Sequence, residues 1–304
     1  GYTPGFLFNQ MREIITAIAY VNTFRLMIRL FSGKNKDSIS IIALLIPIVV
    51  FVAMVLVTSD RNIFIRYAFY FICLYVLFFR ENCRKRNVNL RIIQKVIILG
   101  VILLLIFFLL GKLKQYSSGL TRVIGIYGGS GLYDFNLWIE DFKGPFLNGN
   151  ATFTALLGSL KTIFGYIGID LNVETLNRFD AFIEYKSANG YIYSSNIYSA
   201  MKPFVEDFGY FGVILFPFII GAFYQWLFNK MKKRKYGFGW VVYSMLIYPV
   251  LFFPIAEQLF GRFTLGFVYE LFWLSVLYFA IFGKKKHRSV TRQSAKVTGV
   301  LNEG

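Results

Sequence analysis

The sequence predicts an all-α polytopic membrane protein with about seven transmembrane helices and one large extracytoplasmic loop. Three observations predict it. Of the 304 residues, 56% are hydrophobic and only 16% are charged, with a mean hydropathy of +0.55. A soluble domain carries about a quarter charged residues, so lipid must solvate part of this surface. Apolar runs of the length needed to cross hydrocarbon recur along the chain. Basic residues gather between or beside those runs.

The spans follow in order. Ile14 to Leu30 is the weakest, with Arg25 and Arg29 near one end, where long side chains snorkel to headgroups. Ile39 to Val57, Ile63 to Phe79 and Val96 to Leu110 complete four helices within residues 1–112. Residues 204–283 hold three more: Gly212 to Phe228, Trp240 to Ile255 and Thr264 to Phe282. Residues 284–304 form a basic tail.

Charge sets the orientation. The net charge is +17, which in a soluble protein would suggest nucleic acid. Here 21 of the 33 Lys and Arg residues fall in four clusters: Arg25 to Lys36, Arg80 to Lys95, Lys230 to Lys235 and Lys284 to Lys296. Clusters recurring between spans fit the positive-inside bias and not one binding face, so nucleic acid is excluded as a partner. With these clusters cytoplasmic, seven spans alternate without conflict. The short turns Thr58 to Asn62 and Glu257 to Arg262 then lie outside, and so do residues 113–203.

That outer segment is expected to fold. It holds 7 acids, 7 bases and 16 aromatic residues. A disordered linker would be poor in aromatics and rich in Ser, Pro and Glu. Within it, Ala151 to Ile169 is apolar enough for a re-entrant or interfacial helix. Lys161 and three glycines argue against a full span. The chain begins at Gly1 and shows no signal peptide, so it is expected to be a carboxy-terminal portion of a longer protein.

Several chemistries are excluded. Gly125 to Gly131 (GIYGGSG) lacks the Gly-Lys-Ser/Thr of a phosphate loop and is expected to be a flexible turn before an aromatic helix, Leu132 to Phe142. Asn150-Ala151-Thr152 matches a glycosylation sequon by chance. His287, the sole histidine, sits in the basic tail, and the two cysteines, Cys73 and Cys83, are separated. No zinc site at ordinary ligand spacing and no histidine-activated nucleophile can form. Carboxylates and arginines remain as the outer inventory. Arginine binds phosphate or pyrophosphate bidentately.

The segment Tyr191 to Tyr210 is dense in aromatic, Ser, Asn and acidic residues. Rings stack on sugars, and amides and carboxylates bind their hydroxyls. An aromatic belt at the membrane interface has the same composition. Ser195-Asn196-Ile197-Tyr198-Ser199, then Phe204, Glu206 and Asp207-Phe208-Gly209-Tyr210-Phe211-Gly212, closes with Ile219-Ile220-Gly221. This run resembles the signature of Wzy-type oligosaccharide repeat unit polymerases of bacterial O-antigen and capsule synthesis. Tyr127-Gly128-Gly129, Tyr133-Asp134-Phe135 and Thr58-Ser59-Asp60-Arg61 are similar to other recurrent parts of that family.

The resemblance implies a GT-C-like membrane glycosyltransferase in the bacterial inner (plasma) membrane. It implies polyprenyl-pyrophosphate-linked oligosaccharides as substrates, a chain-length regulator as a further partner, and no nucleotide sugar, cofactor or metal. Arg61, Arg122 and Arg178, with Arg262 behind them, are expected to neutralise the departing pyrophosphate. Asp207 and then Glu206 are expected to serve the acceptor hydroxyl. Asn196 and Tyr198 are expected sugar contacts.

Two rivals stand beside this reading. An O-antigen ligase uses the same donor, but such ligases usually carry a histidine in the large outer loop, and this loop has none. A flippase or transporter of lipid-linked oligosaccharide would show intramembrane charges or broken helices at mid-membrane. A non-catalytic scaffold is the residual option.

Overall fold

The structure is a computed structural model that describes residues 6–32, 40–58, 60–82, 94, 98, 125–172, 182–186, 190 and 192–283. The described residues are mostly helical, with one small hairpin. Two compact units emerge, Gly1–Val57 with Val268–Gly304, and Thr58–Phe267. Each is described by itself.

In the first unit, α1 (Phe6–Ser32) and α2 (Ile41–Thr58) are followed, at the far end of the chain, by α9 (Leu265–Phe282). Helix α2 is apolar on every side, and Ile42, Val49 and Val57 are 72%, 64% and 84% exposed. A helix apolar all round with bare large side chains needs lipid around it. Helix α1 instead buries Tyr20, Phe24 and Met27. Phe24 packs on Tyr278 and Phe282 of α9, at ring distances of 6.1 and 5.7 Å. The carboxy-terminal ends of α1 and α9 therefore lie together.

The second unit opens with α3 (Arg61–Asn82). Asp60 caps it, accepting the amides of Asn62 and Ile63 at 3.0 and 3.2 Å. A π-helical turn, Ile126–Ser130, leads without interruption into α4 (Gly131–Asp141). The expected flexible turn is thus ordered, wound wider than an α-helix. Helix α5 (Thr154–Tyr166) fills the centre of the expected interfacial segment. Strands β1 (Ile183–Lys186) and β2 (Ile192–Ser195) pair antiparallel, with Ile183 opposite Ser195.

Helix α6 (Met201–Lys232) contains a break at Gly209, where φ is +61° and ψ is −154°. Only glycine occupies that region without large strain. The chain therefore forms a stub, residues 201–208, and a separate membrane-length helix, residues 210–232. At 1.5 Å per residue the latter rises about 34 Å, enough for the ~30 Å hydrocarbon core. Gly212 sits just past the break, where a Cβ would run into the Phe204 carbonyl oxygen. Tyr210, Phe211, Ile214 and Phe218 expose an apolar stripe suited to lipid. Phe204 and Phe216, from either side of the break, stack at 4.8 Å. Leu259, Phe260 and Ile220 complete their buried cluster, and Phe153 meets Phe260 edge to face at 5.2 Å.

The expected continuous span from Trp240 to Ile255 is corrected. It divides into α7 (Phe238–Met245) and the single turn α8 (Tyr248–Leu251), followed by an irregular return to a 3₁₀ turn, Phe260–Arg262. Together α7 and α8 rise only about 21 Å. The cause is Pro249, which has no N–H to give the Met245 carbonyl in a continuing helix. Membrane-depth carbonyls freed this way need other donors. Arg262 Nη1 donates to the Met245 oxygen at 3.2 Å, and the Tyr224 hydroxyl donates to Leu246 O.

Among the described residues, five helices are long and apolar enough to cross a membrane: Gln10–Phe31, Ile41–Thr58, Asn62–Glu81, Met201–Lys232 and Leu265–Phe282. These mark a multi-pass membrane protein. The expected span Val96 to Leu110 lies outside the described residues except for Ile98. Basic ends also gather within the second unit. Lys235, in the turn after α6, pairs with Glu81 at the end of α3 at 2.8 Å, and Phe78 stacks on Tyr236 at 4.9 Å.

Candidate functional site

Three segments far apart in sequence are laced together at the start of α6. The Ser199 amide donates to Gly131 O at 2.8 Å, and the Ala200 amide donates to Phe253 O at 3.0 Å. Gly131 must be glycine here, because a Cβ would strike the Pro254 carbonyl. The Ser199 hydroxyl accepts the Met201 amide at 3.3 Å, satisfying the first amide of the stub of α6. Pro203 costs this stub nothing, since first-turn amides have no helical partner.

Lys202 projects from that stub and is only 6% exposed. A desolvated ammonium needs compensation. It lies 3.9 Å over the Tyr198 ring and 5.4 Å over the Trp138 ring, and Glu206 Oε1 stands 3.6 Å away. Two aromatic faces and a carboxylate together hold the cation. Trp138 also begins an aromatic run: it meets Phe142 at 4.6 Å, and Phe142 meets Phe146 at 6.3 Å. Phe146 reaches back to Gly209, where a Cβ would sit 3.1 Å from its ring.

One helical turn before Trp138, Asp134 is fully buried. Neither of its carboxylate oxygens has a hydrogen-bond partner of good geometry. Burial raises its proton affinity above the usual carboxylate range, and the neighbouring Ser195 hydroxyl lowers it in part.

The expected site residues divide into several groups. Tyr198 is buried under Lys202, and Asn196 is half-buried in the loop after β2. Glu206 balances Lys202. Asp207, expected to serve an acceptor, is 1% exposed and spends both oxygens elsewhere. It accepts the amides of Ala151 and Thr152 at 3.0 and 2.6 Å, fixing the turn that precedes α5. Arg262, expected beside pyrophosphate, is buried against the broken helix and lies 4.8 Å over Phe267. Arg61 opens α3, with only its backbone described. Arg122 and Arg178 lie outside the described residues.

Lys202 and Asp134 were missed as site residues. The available signal was Lys202 one turn before Glu206, spaced to pair on a helix face. Asp134 stood in a glycine-led aromatic helix whose burial no pattern revealed. Among the described residues no cluster of His, Cys, Asp and Glu is arranged to hold a metal ion. The cluster combines aromatic faces of sugar size, a buried cation and a buried carboxyl group beside the Ser195 hydroxyl. No protein-family model, curated protein or solved structure matches the chain.

Proposed function

We propose that this chain polymerises polyprenyl-pyrophosphate-linked oligosaccharide repeat units at the outer face of the bacterial inner membrane. It does so as a metal-independent, GT-C-like, multi-pass glycosyltransferase. The observation that carries the reading is Lys202, held between Trp138 and Tyr198 beside Glu206 at the root of a membrane-length helix. Aromatic faces suit sugar rings, and an ammonium suits the charge of a pyrophosphate carrier. Within the second unit, the pairing of Lys235 with Glu81 brings the basic ends of α3 and α6 together, which supports a cytoplasmic side at that end of α6. The signature-like run from Ser195 to Gly212 surrounds the same residues. Arg61, Arg122 and Arg178 remain the proposed pyrophosphate ligands, with Lys202 joining them. Asp207 gives up the acceptor role for the structural one described above, and Glu206 acts by tuning Lys202.

The broken helix α7–α8 favours a second reading, transport of the same lipid-linked glycan, because broken helices mark transporter binding sites. Its freed carbonyls are filled from within the chain by Arg262 and Tyr224, which favours polymerisation over transport. A gel of lipid-linked glycans from cells lacking the protein decides between the readings. Single repeat units exposed on the outer face, in place of a ladder, support polymerisation. A ladder retained on the carrier points to a ligase. Repeat units trapped inside point to transport.

A further inference from the structure

Asp134 is a buried carboxyl group with the Ser195 hydroxyl as a polar neighbour and no backbone donor. It has no exposed surface, and both oxygens lack a well-formed hydrogen bond. Buried polar atoms of native proteins are nearly always satisfied, and an exception calls for an explanation such as strain, a catalytic role or a bound water or ion. Asp207 and Glu257 show the alternative. Each receives two backbone amides, Glu257 those of Phe260 and Gly261 at 2.6 and 2.8 Å. Those two carboxylates are structural, whereas Asp134 caps nothing.

The surroundings leave Asp134 an approach. The π-helical turn Ile126–Ser130 lies directly ahead of it, and π-turns recur at functional sites. Gly128 and Gly129 in that turn are exposed, with open space where side chains would stand. Ser195 lies beside the carboxyl group, at the end of β2. Trp138 and the Lys202 ammonium follow one turn along α4. A sugar placed at Trp138, one helical turn from Asp134, would bring a hydroxyl toward this turn.

We infer that Asp134 is the proton acceptor for the acceptor-sugar hydroxyl, with Ser195 as its positioning residue. The inference rests on the polymerase reading. In the step, the acceptor O–H gives its proton to an Asp134 carboxylate oxygen. The acceptor oxygen forms a bond to the donor's anomeric carbon. The bond from that carbon to the pyrophosphate oxygen breaks, and its electron pair leaves on the polyprenyl diphosphate. Asp134 then returns its proton to water. A carboxylate of raised proton affinity is a stronger base at neutral pH than an ordinary one.

Other charged groups on the elements packed nearby are accounted for. Lys202 and Glu206 offset each other at 3.6 Å, Glu257 is held by amides, and Arg262 serves the broken helix. Glu140 and Asp141 stand at the far, exposed end of α4. Glu184, opposite Ser194 in the hairpin, is exposed, and Asp207 is held by two amides, so among the described acids of these elements Asp134 is the buried one without backbone donors, whose ionisation would set a pH limb.

The full chain is reconstituted in proteoliposomes with the polyprenyl-pyrophosphate-linked repeat unit that accumulates in cells lacking it. Asp134→Asn is nearly isosteric, and the expected result is at least a hundredfold loss of polymer formation with unchanged thermal unfolding or better. Ser195→Ala removes the group that lowers Asp134's proton affinity. The ascending limb of its pH–rate profile is expected to move to higher pH, which a purely structural role would not produce. A competent wild type with an equally active Asp134→Asn overturns the assignment alone, and so does an unmoved limb in Ser195→Ala. A wild type that consumes no donor overturns the polymerase reading and this assignment together.

Discussion

The Asp207 carboxylate holds the Thr152 amide at 2.6 Å across a separation of 55 residues. With the Ala151 amide beside it, this contact locks the turn before α5 onto the stub of α6. The Leu147 amide reinforces the junction by donating to Glu206 O at 2.9 Å. The most acidic part of the signature-like run is therefore a structural clamp.

Asp207→Ala is expected to destabilise the protein by about 3 kcal/mol, the scale for stranding buried amides that had a charged acceptor. Thermal unfolding in detergent and proteolysis near residues 148–153 measure this. Wild-type stability in the variant would remove the clamp from the account.

Gly209→Ala is expected to cost about 1–3 kcal/mol, because its backbone region is costly for a residue with a side chain. Gly212→Ala is expected to be worse, since its Cβ meets backbone and not a movable ring. Comparing the yield and melting temperature of the folded variants ranks the two.

Arg262→Met is expected to lower stability by about 1–3 kcal/mol through the stranded Met245 carbonyl. Donor KM should stay near wild type in what remains folded. A large KM increase in a stable Arg262→Lys variant would return this arginine to the pyrophosphate.

Asp134 should also make stability fall with rising pH. Its proton affinity in the fold exceeds the ordinary value of 3.8, so the folded state binds more protons than the unfolded one. The loss begins above that value and continues as the folded group ionises. Asp134→Asn should therefore be more thermostable than wild type at pH 7, with the difference shrinking toward pH 4. An equal difference at both pH values would contradict the burial of an ionising group.

Lys235→Cys should label from the cytoplasmic side only, since Lys235 lies in a turn at the basic ends of the helices. Labelling in intact cells with a membrane-impermeant reagent would invert the topology.

Hydropathy made α1, α2, α3, α6 and α9 legible, because transfer to lipid depends on composition over a window. The break after Met245 was not legible in the same way. Leu246, Ile247, Val250 and Leu251 keep the run apolar, and the sole cue was Pro249. Hydropathy reports how a segment dissolves, not whether its backbone continues. Carboxylate roles were hidden for a related reason. Asp207 and Asp134 differ by what folds against them, Thr152 in one case and no donor of good geometry in the other. Chemical type and spacing along a chain carry no record of such distant partners.

The corner at Gly209 has a mechanical consequence. Lys202 and Glu206 ride on a short lever bolted to the turn at Thr152, while Tyr210 onward answers to the bilayer. Because Phe204 stacks on Phe216 across this corner, a tilt of the long helix in a thicker or thinner membrane is passed on to the cation and its rings.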